Sequence, residues 1–367
     1  MRLKSYIKKV LYIVKEEGPK VLISRIARYI VYSLNRKFGN FQEDIAKWES
    51  LKNQYEGKRA FIIGNGPSLN KLPLHLLQNE YTICFNRFDL MLERLSWTPF
   101  AYSVIDDLVL TDVPEIANKM AAKVDHAFFP DLHPSAPIGR NFKKLIKPRK
   151  NIYWLHLGDI GYSDDLPNCG INKTVANVAV QILAYMGFSE VYFIGVDLDY
   201  KVTNSTIKEN SRDLKGGEDD DPNHFDPRYF GKGRKFHHPR MDETFEKFDE
   251  AAEFLKRKGV KGYNAGIGGK LDSFERVDFR SLFNFSNEEE LKMLIGHIKP
   301  EISSDSLNDL FPEALFIKEV DEWNDSYNEI ICPFSIGSKL IPKKVLTYTP
   351  YGPYDGQYVF LSKNTYS

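Results

Sequence analysis

Most residues of this chain that are equipped for chemistry stand directly behind short apolar runs. In IIGNGPSL, Ile62 to Leu69, a β-rich run meets Gly64, Asn65, Gly66, Pro67 and Ser68. A turn of that kind at the carboxyl end of a strand lets glycine N–H groups approach a phosphate, while Asn65 and Ser68 add side-chain hydrogen bonds. The run lacks the Lys-Ser/Thr of a P-loop and the third glycine of the dinucleotide fingerprint. A tight strand-to-helix turn without a ligand would use the same glycines.

A second run ends in CFNRF, where Asn86 is placed to read a base or ribose and Arg87 to hold a phosphate. Asp106 and Asp107 follow a third run, and Asp197 and Asp199 a later one. Four carboxylates at strand ends are oxygen ligands for Mg²⁺, and equally they orient hydroxyl groups or cap loops. Cys169-Gly170-Ile171-Asn172-Lys173-Thr174 precedes a long helical pattern, so its amides offer a second anion site at a helix N-terminus; plain capping by Asn172 is the alternative. His224, His237 and His238 share one segment with Tyr229, Lys232, Arg234 and Lys235. Imidazole titrates near neutrality and takes a proton from a hydroxyl, which suits general-base work beside a phosphate. Ligand spacing in this segment is not that of a zinc site, and no metal ligands are assigned. A last glycine-rich turn, Asn264 to Leu271, brings Lys270 and Arg276 towards the same edge.

The elements that must position these residues alternate. Strands are expected at Ala60–Ile63, Tyr81–Phe85, Ala101–Ile105, His126–Phe129, Asn151–Leu155, Val191–Gly195 and Gly262–Asn264, with helices at Asn172–Met186 and Met241–Lys258, each closed by a glycine. Strand and helix in alternation predict an α/β fold: a Rossmann-like, mostly parallel sheet with helices on both faces, at residues 51–285. Between Lys201 and Pro239 the periodicity stops. Loops of that length are functional or disordered, and the Phe, Tyr and His content here favours an ordered lid. A charged helix is expected at Glu288–Ile298, within an aromatic and proline-containing appendage at residues 286–367.

Residues 1–50 read as a basic helical arm. Its first forty residues carry ten Lys or Arg against two acidic residues, with Leu22, Ile26, Ile30 and Leu34 at helical spacing and Gly18-Pro19 dividing it. Such an arm lies on an anionic membrane surface, or packs its stripe against the body of the protein or a second subunit in a homo-oligomer. Across the whole chain Lys plus Arg equals Asp plus Glu at 50 each, so no global field recruits nucleic acid. Three widely spaced cysteines give no disulfide framework, and no run of about 20 apolar residues is present to span a bilayer. A cytoplasmic protein, peripheral to the membrane, is expected.

Together, IIGNGPSL, CFNRF, CGINKTVANVAVQILAYMGFSEVYFIGVDLDY, HFDPRYFGKGRKFHHP and YNAGIGGKLDSFERV resemble a bacterial family associated with surface-polysaccharide genes and grouped with the archaeal 6-hydroxymethylpterin diphosphokinases. Its core is similar to the family 42 sialyltransferases and the flagellin-modifying motility accessory factors. The likeness runs from about Arg59 to Phe283. Carried over residue by residue, it implies that Asn65 and Asn86 contact the donor nucleotide, that Gly170 matches a Ser-Gly turn whose hydroxyl residue is replaced by Cys169, and that Gly195 and Asp197 match while Asp199 stands where a phosphate-binding Tyr would be. It further implies a lid histidine as base, at His237 or His238.

The function expected is a nucleotide-dependent transferase: glycosyl transfer from a nucleotide-activated sugar, such as a CMP-linked nonulosonate, to a glycan or glycolipid acceptor, with no cofactor required. Two alternatives stand beside it. One is an Mg²⁺-dependent diphosphokinase acting from ATP on a pterin-like alcohol, with Asp106, Asp107, Asp197 and Asp199 on the metal. The other is a nucleotide-binding scaffold without catalysis.

Overall fold

The computed structural model describes residues 14–15, 18–39, 41–95, 97–134, 136, 140–209, 213–285, 289, 315–317, 319–324, 326–327, 329–333, 348–351 and 358–363. Its centre is a nine-stranded sheet built from β1 (Arg59–Ile63), β2 (Tyr81–Phe85), β3 (Ala101–Ser103), β4 (His126–Leu132), β5 (Ile152–Gly158), β6 (Asn168–Gly170), β7 (Glu190–Ile194), β11 (Lys261–Asn264) and β12 (Glu275–Arg276). The strand order is β12-β11-β7-β1-β2-β3-β4-β5-β6, and every neighbouring pair is parallel. All seven expected strands are present. The β3 strand stops at Ser103, because Asp106 leaves the sheet to cap a helix: its Oδ1 accepts from the Leu108 and Val109 amides at 2.8 and 3.1 Å, a cap worth about 1 kcal/mol.

A parallel sheet covered on both faces shows buried residues in unbroken runs, and β1 and β7 do so. Phe61, Ile63, Tyr192 and Ile194 face one core, which also takes in α3 (Asp107–Asp112) and α4 (Pro114–Ala121). Ala60, Ile62, Val191 and Phe193 face the other, under α5 (Val175–Met186) and α6 (Met241–Arg257). The α5 helix begins at Val175, three residues later than expected, because Asn172 and Lys173 take positive φ and Thr174 supplies the cap, its Oγ1 accepting from the Asn177 amide.

Pro19 opens α1 (Pro19–Phe38), and α2 (Gln42–Glu49) follows; the part of the arm before Gly18 lies outside the described residues apart from 14 and 15. The second helix belongs to the body of the protein, with Trp48 fully buried and its indole N–H donating to the Trp154 carbonyl at 2.8 Å. The lid is ordered as a small antiparallel sheet of β8 (Ile207–Lys208), β9 (Asp213–Lys215) and β10 (Lys235–His237). The helix expected at Glu288–Ile298 lies outside the described residues, apart from Glu289. Further on, β13 (Leu315–Phe316), β14 (Glu329–Pro333), β15 (Tyr348–Tyr351) and β16 (Tyr358–Lys363) form a separate four-stranded sheet.

Candidate active site

Because all nine strands run the same way, the turns after β1, β2, β3 and β7 open on one edge of the sheet, in the order β7-β1-β2-β3. That edge is where open α/β sheets take their ligands. It gathers Asn65, Asn86, Asp106, Asp107 and Asp197, and the lid covers it.

The glycines of the first turn serve the protein itself. Gly64 N–H donates to the Ile194 carbonyl and Gly66 N–H to the Gly195 carbonyl, both at 2.8 Å. A Cβ on Gly64 would collide with the Gly195 carbonyl, and one on Gly66 with the Asp197 carboxylate. Ser68 is also committed: its amide donates to Asp197 Oδ2 at 2.9 Å and its hydroxyl to Asp197 Oδ1. The amides expected to cradle a phosphate therefore hold β7 and a carboxylate belonging to the chain. What the turn leaves available is Asn65, whose side-chain oxygen is buried without a hydrogen-bond partner.

One strand along, Asn86 adopts a left-handed φ of 50°, a conformation asparagine tolerates. Its amide donates to the Ser103 carbonyl at 3.2 Å and its carbonyl accepts from the Tyr102 hydroxyl at 2.6 Å, while its side-chain oxygen has no partner. Over it lies Tyr229, buried to 1% exposure and stacked on His224 at 3.9 Å between ring centroids. Burial pushes the Tyr229 phenol well up, countered by the Asn86 side chain and Arg87 backbone beside it. Asn86 lies near the phenol without completing a well-formed hydrogen bond. Buried polar groups are rarely left unpaired, so the Asn65 and Asn86 side-chain oxygens and the Tyr229 hydroxyl have unused hydrogen-bonding capacity.

Arg87 does not extend towards a phosphate. Its Nη1 donates to the Arg228 and Tyr229 carbonyls at 2.7 and 3.1 Å. A guanidinium 8% exposed must find acceptors, and the lid backbone supplies them. Other contacts hold the lid as well. Phe225 N–H donates to the Asn65 carbonyl at 2.9 Å, and Arg94 pairs with Asp226 at 2.8 Å. His224 is fixed through Nδ1, 2.7 Å from Asp221 Oδ2. Burial works to raise the Asp221 pKa, but His224 and the Asn223 and Phe230 amides outweigh it, and the net shift is downward.

The neighbouring strand end, after β3, carries the titratable cluster. His237, the last residue of β10, places Nδ1 2.8 Å from Asp213 Oδ1, its cross-strand partner in β9. A carboxylate only accepts, so Nδ1 carries the proton. Nε2 then faces Asp107 Oδ1 at 3.5 Å, a long hydrogen bond, and Asp106 Oδ1 at 3.9 Å, beyond one. His133, just past β4, approaches the same Asp107 oxygen at 3.4 Å. An imidazole aligned through Nδ1 by a carboxylate is arranged as a general base once an acceptor hydroxyl takes the place of Asp107 at Nε2. His238 points elsewhere. Its Nδ1 lies 2.9 Å from the Pro239 carbonyl, it is exposed, and its ring meets Tyr200 edge-on at 5.9 Å. Burial, with Asp221 adding to it, pushes Tyr200 up to about 12.

The remaining expected residues are dispersed. Gly170 sits on the edge strand β6, where Gln181 accepts from its N–H at 2.9 Å and donates to its carbonyl at 2.8 Å. Its amide is thus satisfied from within α5. Asp199 accepts from Lys270 Nζ at 2.6 Å, and Arg276 donates to the Gly268 and Gly269 carbonyls. The four carboxylates form two groups, after β3 and after β7, with β1 and β2 between them. Only Asp106 and Asp107, joined by His237, stand within common reach of a metal ion. A cavity of about 360 Å³ lies where Gly57, Phe188, Ser189 and Val260 lead into β1, β7 and β11, on the opposite edge from all of this chemistry.

No protein-family model matches this chain, and no curated protein matches it. Among solved structures it is similar to the MAf glycosyltransferase from Magnetospirillum magneticum AMB-1, with 14% identity and a TM-score of 0.39, over 69% of this chain and 41% of that one. It is also similar to the sialyltransferase CstII from Campylobacter jejuni. The form with cytidine-5'-monophosphate gives 13% identity and a TM-score of 0.36, over 60% of this chain and 85% of that one; the form with CMP-3FNeuAc gives the same identity and TM-score, over 62% and 89%. The chain spans less than half of the first of these structures, and at such scores none of the three decides its chemistry.

Proposed function

We propose that this chain is a nucleotide-dependent glycosyltransferase, with a CMP-linked sugar as the first donor to test and a hydroxyl of a glycan or glycolipid as acceptor. The observation that carries the reading is the sequence of three adjacent strand ends: two buried asparagine oxygens without partners, then an imidazole aligned by a carboxylate. Asn65 and Asn86 offer side-chain oxygens to base or ribose donors, with Tyr229 closing the pocket from the lid. His237 Nε2 takes the proton of the acceptor hydroxyl as its oxygen bonds the sugar carbon and the sugar–phosphate bond breaks. Asp213 stabilises the imidazolium that results. Arg234 and Lys235, paired loosely with Asp112 and Glu209 at 3.4 Å each, are lid cations able to turn to the departing phosphate.

The test is calorimetry of the purified protein against CMP, CDP, UDP, GDP and ATP, with and without Mg²⁺. Metal-independent binding of a cytidine or uridine nucleotide is expected, and folded protein that binds neither overturns the reading. A second reading has one observation in its favour. Asp106, Asp107 and His237 are spaced to hold a divalent cation, as a diphosphokinase would require. Binding of ATP only in the presence of Mg²⁺, indifferent to CMP, selects it.

A further inference from the structure

Helix α1 displays an apolar stripe that nothing in the described structure covers. Ile23, Ile26, Ile30, Leu34 and Phe38 recur at intervals of three or four residues and so share one side of the helix. They are between 50% and 75% exposed, and the helix has no buried residue at all. The opposite side is fastened to the body: Arg36 grips Asp131 with two hydrogen bonds of 2.7 and 2.9 Å. Its charge is one-sided, since Pro19–Phe38 contains Lys20, Arg25, Arg28, Arg36 and Lys37 and no acidic residue. Lys20 and Lys37 stand near the two ends of the stripe, where long side chains keep their ammonium groups in the headgroup region while the stems lie on apolar surface.

We infer that α1 is an interfacial helix that lies flat on an anionic lipid bilayer, with the stripe buried among the acyl chains and the lysines among the headgroups. No helix among the described residues is long and apolar enough to cross a membrane, so the mode is surface attachment. A second copy seated stripe to stripe would satisfy the apolar residues but would bring together two helices that are both wholly basic. Lipid phosphates complement that charge; another α1 does not.

The experiment is co-sedimentation of the full chain with vesicles of phosphatidylcholine, and with vesicles of phosphatidylcholine mixed with phosphatidylglycerol. Binding to the mixed vesicles is expected, weaker on phosphatidylcholine alone and weaker again as salt is raised. Ile26→Asp and Ile30→Asp, each at an exposed position, lower the affinity about tenfold or more while the circular dichroism and melting temperature stay at wild-type values. Lys20→Gln combined with Lys37→Gln reduces the preference for anionic vesicles and serves as the second variant, leaving the stripe intact. Absence of binding to the mixed vesicles overturns the inference, as does binding that Ile26→Asp and Ile30→Asp leave unchanged. A dimer seen by light scattering that Ile26→Asp dissociates also overturns it and assigns the stripe to a second copy.

Discussion

Ser68 gives both its backbone amide and its hydroxyl to the carboxylate of Asp197, so the first turn of the sheet already holds an anion of its own. Two consequences separate this arrangement from a phosphate cradle. Gly66→Ala places a methyl group against that carboxylate and is expected to destabilise the ligand-free protein by about 1–3 kcal/mol, measured by urea denaturation. Asp197→Asn leaves donors facing an amide and costs about 1–3 kcal/mol, again without any ligand present.

Asn65 supplies the opposite case. Its buried side-chain oxygen lacks a partner in the protein, so Asn65→Ala removes an unsatisfied group. The melting temperature is expected to hold or rise, while nucleotide affinity falls about tenfold, the worth of one hydrogen bond. Scanning fluorimetry and calorimetry on the same preparation check both halves. A drop in stability with unchanged affinity would assign Asn65 to the fold alone.

Of the three lid histidines, His237 and His238 are expected to part company. His237→Gln lowers the transfer rate by about 10²–10⁴-fold with little change in nucleotide affinity, as loss of a general base does. Asp213→Asn falls in the same direction because the imidazole loses its alignment. His238→Gln, whose Nδ1 meets only its neighbour's carbonyl among described contacts of the ring nitrogens, retains most activity. Steady-state rates with a fixed donor distinguish them, and an inactive His238→Gln beside an active His237→Gln reverses the assignment.

Acid should loosen the lid. The Asp221 carboxyl lies below its ordinary value of 3.8 in the folded protein, chiefly through His224 acting against burial, and Asp226 is lowered in the same sense by Arg228 and Arg94 acting against burial. A depressed carboxylate contributes stability that is present above its unfolded pKa and is lost as pH falls through the folded one. Denaturation curves are therefore expected to weaken as pH drops below about 3.8. Asp221→Asn should show a shallower loss across that window.

The sheet was legible because burial on both faces leaves continuous apolar runs. Phe61 and Ile63 look one way, Ala60 and Ile62 the other, and no polar residue interrupts them. The short strand β6 escaped notice because Asn168-Cys169-Gly170 carries no periodicity. A glycine's type alone does not distinguish backbone approach to a ligand from approach to the chain itself: Gly64 and Gly66 make room for the turn after β7, Gly195 to Asp197. Arg87 reads as a phosphate ligand for the same reason, since nothing in CFNRF announces the lid carbonyls that satisfy it. No sequence pattern pairs Asp213 with His237. The two are 24 residues apart in a polar segment, and only the antiparallel pairing of β9 with β10 brings them together.

The seam between lid and sheet edge is made largely of main-chain atoms on the lid side: the Phe225 amide and carbonyl and the Arg228 and Tyr229 carbonyls. Main-chain atoms are common to every residue type except for proline's missing N–H. The bond from Arg87 to the carbonyl of residue 228 therefore survives a change of side chain there, whereas such a change removes the ion pair that Arg228 makes with Asp226.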